Sequence, residues 1–352
     1  MKSFASDNYA GVLPEVMEAL HKANEAHAVS YGNDPLTQRV QALFREQFGT
    51  DVTTCFVFNG TGANVLSISS ATRSFNSVLC ADLSHIYCDE SSAPETFTGC
   101  RFFPIPIDNT GKMTVEEIEK KLIRKGDIHF AQPGLISVTQ STEYGTVYTV
   151  EHLKAIAALA HKHGLYFHID GSRFFNAAAS LGCTLKDLST NIGVDILSLG
   201  GTKSGMMFGE AVVVFNKNLA QWIGYQHKQT MQLASKTRFI AAQFEAVLKN
   251  DFWRQPALHA NRMARELAGA LRRHPEILVT KPVEANAVFA KMPASWIPEM
   301  QQHFPFYVWN EHTNEVRLMC AFDTTEADIQ AFAGLLHRLA GPGDTAVFLI
   351  DS

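Results

Sequence analysis

A lysine and an aspartate each stand at or just beyond the end of a short apolar run that predicts a buried strand. Lys203 follows the run that ends at Leu199 and lies among glycines and hydroxyls, while Asp170 closes the run 165–169, 33 residues earlier. This pair suits pyridoxal phosphate (PLP) chemistry. The lysine amine holds the aldehyde as a Schiff base, and the carboxylate keeps the pyridine nitrogen protonated so that the ring can accept electrons. By itself, a lysine in a glycine-rich turn is usually a solvated loop residue, so the prediction depends on the accompanying residues.

A glycine-rich turn between a predicted strand (53–58) and a predicted helix (63–72) suits the binding of an anion. It contains Gly60, Thr61 and Gly62, in the stretch Asn-Gly-Thr-Gly-Ala-Asn. Glycines let backbone N–H groups approach an anion, and the helix N-terminus adds a favourable partial charge. The turn has no dinucleotide or P-loop pattern, so a single phosphate group is favoured. Taken alone, it is also compatible with an ordinary strand–helix connection.

Two histidines are candidates for proton transfer. His85 lies just beyond a predicted short strand (78–81), where a flat imidazole could stack on a cofactor ring and exchange protons during turnover. His129 lies in the stretch Asp-Ile-His-Phe, ahead of a predicted strand (135–139). For each histidine considered alone, the ordinary alternative is a surface or hydrogen-bonding residue.

Two arginines could hold the carboxylate of an amino-acid substrate, because a planar guanidinium binds a carboxylate bidentately. Arg173 lies three residues after Asp170, so one strand-end loop could carry both side chains. Arg317 lies in an apolar predicted strand, where an unpaired charge is costly. A structural salt bridge is an equally good interpretation of either arginine.

Composition and charge exclude several classes of protein. The chain has 352 residues, of which 46% are hydrophobic and 18% charged, so a sizeable core is available. A net charge of −5 gives no electrostatic basis for binding nucleic acid or an anionic membrane. No signal peptide or membrane span is predicted. The six cysteines are irregularly spaced without a C-x-x-C pair, which favours reduced cysteines in a cytoplasmic protein over disulfides or a metal site.

Strand-like and helix-like segments alternate through the first two thirds of the chain, and the strands are continuous apolar runs. This alternation predicts an α/β fold with a mostly parallel sheet and helices on both faces. Helices dominate 217–273, with interruptions near Asp251 and Pro256, and an α+β pattern follows. The sequence therefore predicts a large domain at 1–250, which includes the N-terminal segment, and a small C-terminal α+β domain at 251–352.

The combined order of these motifs resembles the aspartate-aminotransferase-like (fold-type I) PLP-dependent transferase fold. Within that group it is most similar to the threonine aldolase/β-eliminating lyase family. The resemblance covers residues 6 to about 330, and the stretches that carry it are Ser6-Asp-Asn-Tyr-Ala-Gly11, Tyr31-Gly-Asn-Asp-Pro35, Asn59-Gly-Thr-Gly-Ala-Asn64, Asp127-Ile-His-Phe130, Ser137-Val-Thr-Gln140, His168-Ile-Asp-Gly-Ser-Arg173, Ser198-Leu-Gly-Gly-Thr-Lys203 and Arg317.

The resemblance implies a role for each candidate residue. For the cofactor, it implies Lys203 as the Schiff-base lysine, Asp170 as the partner of the pyridine nitrogen, His85 stacked on the ring, and Gly60, Thr61 and Gly62 around the phosphate. For the substrate, it implies that the carboxylate is bound by Ser6, Arg173 and Arg317 and that His129 lies near the side chain. Tyr31 and, with less support, Lys228 would line the same pocket. Tyr31 would enter from a neighbouring subunit, in a homodimer or homotetramer with shared active sites. Many relatives have Ser-Lys-Gly-Leu at the lysine, whereas Thr202-Lys-Ser-Gly-Met stands here, which marks a subgroup.

The activity implied by the resemblance is a PLP-dependent aldolase. It would cleave L-threonine, L-allo-threonine or a related β-hydroxy-α-amino acid, such as phenylserine, to glycine and an aldehyde. The base would be His85, directly or through water, with His129 assisting. A β-eliminating lyase and an aminotransferase are the alternatives that keep the cofactor, and the retained carboxylate-binding set argues against a non-catalytic PLP-binding protein. The sequence leaves open the preferred aldehyde, the threo or erythro preference, the exact base, and dimer versus tetramer.

Overall fold

A seven-stranded mixed sheet forms the centre of the large domain in the computed structural model, which describes residues 2–341. Its strands are β1 Thr53–Val57, β2 Asn76–Ala81, β3 Arg101–Ile105, β4 Gln132–Thr139, β5 Tyr166–Gly171, β6 Ile196–Leu199 and β7 Glu210–Val214. Their spatial order is β1-β7-β6-β5-β4-β2-β3. Within this sheet, β7 alone runs in the direction opposite to the other six strands. The expected α/β fold with a mostly parallel sheet is confirmed.

Helices surround the sheet and connect it to the second domain. Among the described residues they are α1 Pro14–Ala23, α2 Pro35–Phe48, α3 Gly60–Ala71, α4 His85–Cys88, α5 Ala93–Thr98, α6 Val115–Glu119, α7 Val150–Lys162, α8 Phe174–Leu181, α9 Lys217–Ala220, α10 Ile223–Gln229, α11 Arg238–Leu248, α12 Arg254–Leu271, α13 Ile297–His303 and α14 Glu326–Ala340. Short 3₁₀ turns occupy Asp7–Tyr9, Thr202–Ser204 and Lys249–Asp251. None of the helices found between residues 2 and 341 is long and apolar enough to cross a membrane.

Local sequence signals explain where several helices begin and end. Thr149 caps α7 by accepting a hydrogen bond from the backbone of His152, and Gly164 follows the helix with a positive φ of 75°. Thr325 and Asp328 form a complete capping box at the start of α14. Pro256, expected to interrupt the helices, instead lies in the first turn of α12. A proline is tolerated there because the first N–H groups of a helix have no intrahelical partner.

The small domain is built on a four-stranded antiparallel sheet. Its strands are β8 Leu278–Val279, β9 Ala287–Lys291, β10 Tyr307–Asn310 and β11 Glu315–Met319, in the order β10-β11-β9-β8. Its core contains residues of α12, α13 and α14. This agrees with the expected α+β character, and residues 342–352 of the expected domain lie outside the described part.

The N-terminal segment and α12 join the two domains. Phe4 is fully buried in the core of the small domain, and its carbonyl accepts a hydrogen bond of 2.7 Å from the backbone of Met319. Along α12, Ala257 belongs to the large core and Met263 to the small one. The change of core therefore falls inside α12 instead of between residues 250 and 251, and the first residues pack with the small domain. A long helix can serve two cores because successive turns along its length pack against different partners.

Candidate functional site

The candidate residues meet at one edge of the large sheet. Asp170 lies at the carboxyl end of β5, Lys203 follows β6, His85 follows β2, and the Gly60 turn follows β1. These four strands run in the same direction, so their carboxyl ends share an edge. In open α/β sheets, ligands bind in the crevice at this edge.

The turn that carries Lys203 is held by a buried carboxyl group. The side chain of Glu210, at the start of β7, accepts a hydrogen bond from the backbone N–H of Gly201. A Cβ at Gly200 would collide with the carbonyl oxygen of Ser172, so this close approach requires glycine. Burial, and then the charge of Arg173, lower the pKa of Lys203. A lowered pKa increases the neutral amine that a Schiff base requires.

A hydrogen-bonded chain connects Asp170 to His85. The Nδ2 atom of Asn64 lies 3.0 Å from Oδ2 of Asp170 and 2.8 Å from Oε1 of Glu90. The same Oε1 lies 3.0 Å from Nδ1 of His85. Glu90 raises the pKa of His85, chiefly through this hydrogen bond. Asn64 and Glu90 were not among the residues predicted from the sequence, although Asn64 ends the glycine-rich stretch.

A second polar chain supports β5 from inside the sheet. His168 is fully buried, with Nδ1 2.8 Å from Oγ of Ser137 and Nε2 2.9 Å from Oγ of Ser198. Burial lowers the pKa of His168 to about 4, so the imidazole is neutral at physiological pH. Both ring nitrogens form hydrogen bonds, one to Ser137 on β4 and one to Ser198 on β6. His168 therefore ties its own strand, which carries Asp170, to the strand on each side.

The Gly60 turn presents backbone donors at the N-terminus of α3. Asn59 caps the helix by accepting a hydrogen bond of 2.7 Å from the N–H of Gly62. The N–H groups of Gly60 and Thr61 stand in the first helical positions, which have no intrahelical acceptor. A Cβ at Gly62 would meet the side-chain amide of Gln232, so a larger residue there would have to displace that amide. The turn can hold one phosphate group.

Arg173 already has a carboxylate partner within the chain. Its Nε and Nη2 atoms lie 2.7 and 2.9 Å from the two carboxylate oxygens of Asp7. Asn286 donates a further hydrogen bond of 3.0 Å to Asp7. Burial opposes ionisation of Asp7, but Arg173, together with Lys203 and Asn286, outweighs it, and the pKa of this carboxyl is lowered. The structural salt bridge considered for Arg173 is present, and Asp7 is a residue that sequence reasoning missed, although it follows Ser6 in the quoted stretch.

Arg317 is bound mainly by aromatic rings. Its guanidinium carbon lies 5.2 Å from the ring centroids of both Tyr307 and Trp309. Its one hydrogen bond, to the carbonyl oxygen of Ala5, is long at 3.4 Å, and Nε is buried with no partner among residues 2–341. In the described part of the chain, no carboxylate forms a salt bridge with it. Burial, and then Arg173, lower its pKa. Arg317 is therefore a desolvated cation that suits an external carboxylate.

Glu143 is a further acidic group beside His85. Its Oε1 atom accepts hydrogen bonds from the backbone N–H of His85, at 2.9 Å, and from Oγ1 of Thr139, at 2.8 Å. Burial raises the pKa of Glu143 to about 7. Sequence reasoning missed it because it lies in the loop after β4, four residues beyond the strand end, where no local pattern marks it.

Among the described residues, no hydrogen bond or salt bridge joins Tyr31, Lys228 or His129 to the Lys203 turn. The side chains of Tyr31 and Lys228 lie together, with Nζ 5.2 Å from the ring centroid, and Tyr31 is exposed. His129 is exposed in the loop before β4, and its N–H donates to Asp127. This loop precedes the strand, so it lies at the amino edge of the sheet, opposite Asp170. The structure therefore places His129 at the opposite edge of its own chain's sheet, and its expected position near the substrate side chain stays a prediction.

Ser6 lies at the site through the N-terminal segment. It caps the 3₁₀ turn that contains Asp7, and its Oγ atom accepts a hydrogen bond of 3.2 Å from the N–H of Asn8. Because a hydroxyl both accepts and donates, its O–H remains available to a ligand.

Comparisons with known proteins agree with this geometry. The family model described as "Beta-eliminating lyase" matches residues 3–295. The low specificity L-threonine aldolase of Pseudomonas aeruginosa is 42% identical over 97% of this chain and 98% of its own length. A low specificity L-threonine aldolase of another Pseudomonas species is 40% identical over 94% of this chain and 96% of its own length.

A solved structure extends the similarity to the whole fold. The threonine aldolase of Leishmania major superposes with a TM-score of 0.91 and 28% sequence identity, and the match covers 97% of this chain and 100% of that one. Mouse CSAD, at 16% identity and a TM-score of 0.77, shares the fold alone.

Proposed function

The chain belongs to the β-eliminating lyase family, and from this premise we propose that it is a PLP-dependent aldolase. Its substrates are L-threonine, L-allo-threonine or a related β-hydroxy-α-amino acid such as phenylserine, and its products are glycine and an aldehyde. The observation that carries the proposal is the meeting of Lys203, Asp170 and the Gly60 turn at one sheet edge, in a chain 42% identical to a protein named for this activity.

The residues at this edge fit PLP. The amine of Lys203 has no hydrogen-bond or salt-bridge partner among the described residues and has a lowered pKa, Asp170 offers a buried carboxylate, and the Gly60 turn offers free N–H groups. Lys203 would hold the aldehyde, Asp170 the pyridine nitrogen and the turn the phosphate. When bound, PLP supplies an electron sink for the pair released as the Cα–Cβ bond breaks.

The remaining residues bind the amino acid and move its protons. Arg317 binds the substrate carboxylate, and Ser6 and the remaining Nη1 of Arg173 support it. Holding the carboxylate there orients the Cα–Cβ bond for cleavage. His85 takes the β-hydroxyl proton, directly or through water, as the aldehyde forms. A proton must reach Cα before glycine is released, and Lys203 would hold the cofactor again afterwards.

A chemical experiment tests the site assignment. Borohydride reduction of the yellow holoenzyme should fix the cofactor to Lys203, as read by peptide mass spectrometry, and Lys203→Ala should retain no reducible adduct. A reduced adduct on any other lysine would refute the assignment. Incubation with a panel of β-hydroxy amino acids should yield glycine and the matching aldehyde. Pyruvate or transferred amino groups as the main products would instead identify a β-eliminating lyase or an aminotransferase.

We also propose that the enzyme is a homodimer or homotetramer whose sites are completed by Tyr31 of a neighbouring subunit. Tyr31 is exposed and lies against the amine of exposed Lys228, so this pair is available at the surface to a neighbouring subunit, which supports this arrangement. Mixing Tyr31→Phe with Lys203→Ala protein should restore some activity through hybrids. A fully active monomer in sedimentation would rule out this arrangement.

All six cysteines are unpaired, which supports the expected cytoplasmic location.

A further inference from the structure

The surroundings of His85 determine which of its ring nitrogens carries a proton. The side chain of His85 is 46% exposed, whereas the Glu90 side chain beside its Nδ1 is only 1% exposed. Glu90 therefore lies on the protein side of the ring, and Nε2 is left for a ligand. A carboxylate only accepts hydrogen bonds, and a neutral imidazole has a single N–H. The 3.0 Å contact between Nδ1 and Oε1 of Glu90 therefore places that N–H on Nδ1.

Asn64 fixes the other end of this arrangement. Its Nδ2 atom lies within hydrogen-bond distance of two carboxylates, those of Glu90 and Asp170. Both carboxylates need donors, and rotating the amide would turn its oxygen toward them, so the orientation of Asn64 is determined by its neighbours. Its two N–H groups are then used on different acids. Asn64 holds Glu90 in place and ties it to the residue that faces the pyridine nitrogen.

We propose that Glu90 is a positioning residue that holds His85 as the Nδ1–H tautomer, so that Nε2 is the atom that accepts the substrate proton, and that Asn64 links this pair to Asp170. The identity of the substrate proton rests on the proposed function, but the tautomer and the Glu90 contact do not. A histidine with the proton on Nε2 could not act as a base toward the substrate. Glu90 thus supplies the correct form of the base without touching the substrate.

The charges around His85 give the proposal a measurable consequence. Glu90 and Asp170 raise the pKa of the imidazole, whereas burial and Lys203 lower it, and Glu143 contacts only the backbone N–H of His85. Removing the charge of Glu90 removes the contribution that raises this pKa most. The pKa of His85 should therefore fall in Glu90→Gln.

The experiment measures His85 directly in the holoenzyme. Diethylpyrocarbonate modifies neutral imidazoles, and peptide mass spectrometry gives the rate at His85 as a function of pH. Glu90→Gln should shift this titration to lower pH. The matched control is Asp89→Asn, the same isosteric change one residue away, at an exposed carboxylate with no side-chain hydrogen bond among the described residues. It should leave the titration unchanged. Coincident curves for Glu90→Gln and wild type would overturn the proposal.

Kinetics separate positioning from a purely structural role. In Glu90→Gln, kcat should fall by about ten- to a hundredfold, part of the roughly 10²–10⁴-fold that a general base contributes, with little change in KM. The limb of the pH profile that reports His85 should move with the chemical titration. In a His85→Gln background, Glu90→Gln should have no further effect on kcat. A further tenfold loss there would show that Glu90 acts elsewhere.

Asn64 is tested through the cofactor. Asn64→Leu keeps the size of the side chain but removes the donor to Asp170, and PLP should bind about three- to tenfold more weakly, as expected for one lost hydrogen bond. Unchanged PLP affinity would remove Asn64 from the link. If no β-hydroxy amino acid yields glycine, the proposed function fails, while the titration of His85 still decides the role of Glu90.

Discussion

The two arginines at the site come from different domains and are stabilised in opposite ways. Arg173, on the large domain, makes two charge-assisted hydrogen bonds to buried Asp7. Arg317, on the small domain, lies between Tyr307 and Trp309, and its Nε is buried without a partner in the described part of the chain. The same residue type thus serves as an internal ion pair in one place and as an available cation in the other.

This difference shows how the site divides its work. On the large-domain side, three charged groups already have partners within the chain: Arg173 is paired with Asp7, and Asp170 and Glu90 each accept a hydrogen bond from Asn64. Such groups are ordered before any ligand binds, which suits the holding of a cofactor. The small domain contributes a desolvated cation whose bidentate partner has to come from a ligand. We infer that Arg317 is the main carboxylate contact and that Arg173 chiefly orders the N-terminal segment.

The largest expected effect on stability is at Arg173. Replacing it with alanine leaves Asp7 buried without its cation, so the free energy of unfolding should fall by about 3–5 kcal/mol. Urea unfolding at saturating PLP measures this. Asp7→Ala should also destabilise, and the double variant should lose less than the sum of the two single changes. Additive losses would mean that the ion pair is not the source of the effect.

Arg317→Ala should act on catalysis instead. Losing a charge-assisted bidentate contact should reduce kcat/KM by about 2–4 kcal/mol, roughly thirty- to a thousandfold, while the melting temperature stays the same or rises because an unpaired buried charge is removed. Arg317→Lys keeps the charge without the planar fork and should recover only part of the loss. Normal kinetics with a much lower melting temperature would make Arg317 a structural residue and break the comparison.

Glu210 gives a pH-dependent test on the large-domain side. Burial raises the pKa of Glu210 to about 7, against about 4.3 for an unperturbed glutamate. Between these values the folded state holds more protons than the unfolded state, so stability falls as pH rises through this window and is level above it. Glu210→Gln should remove that fall, worth up to about 3 kcal/mol between pH 4.5 and pH 8. The control Glu299→Gln, at an exposed carboxylate, should leave the fall in stability unchanged. If the free energy of unfolding of Glu210→Gln follows the same pH dependence as that of the wild type, the raised pKa of Glu210 is contradicted.

The smallest effect is expected at Trp309. Its ring covers one side of the guanidinium of Arg317, and a cation–π contact of this kind contributes about 0.5–1 kcal/mol. Trp309→Leu should therefore raise KM for the amino acid about two- to fivefold and leave kcat nearly unchanged. Exposed Trp222→Leu, outside the site, is the matched control. A loss equal to that of Arg317→Ala would show that the tryptophan itself contacts the substrate.

The shared position of the strand-end residues was predictable because it depends only on where the strands end and in which direction they run. Apolar runs that end in Asp170, or shortly before His85 and Lys203, indicate buried strands, and parallel strands bring their carboxyl ends to one edge. The same rule places His129 at the amino edge of its own chain's sheet, since it precedes β4. The family resemblance suggested a place near the substrate, and the fold of the single chain does not put it there.

The sequence by itself determined the α/β alternation, the strand ends that carry Lys203, Asp170 and His85, and the family, because periodicity, turn residues and motif order are local properties. The tertiary structure alone decided which charges are paired. Asp7 reaches Arg173 across 166 residues, and Asn64 reaches Asp170 across 106. Such partners depend on which elements pack side by side and on the directions of their side chains. No local pattern distinguishes an arginine that is neutralised from within, as Arg173 is, from one that remains open to a ligand, as Arg317 does.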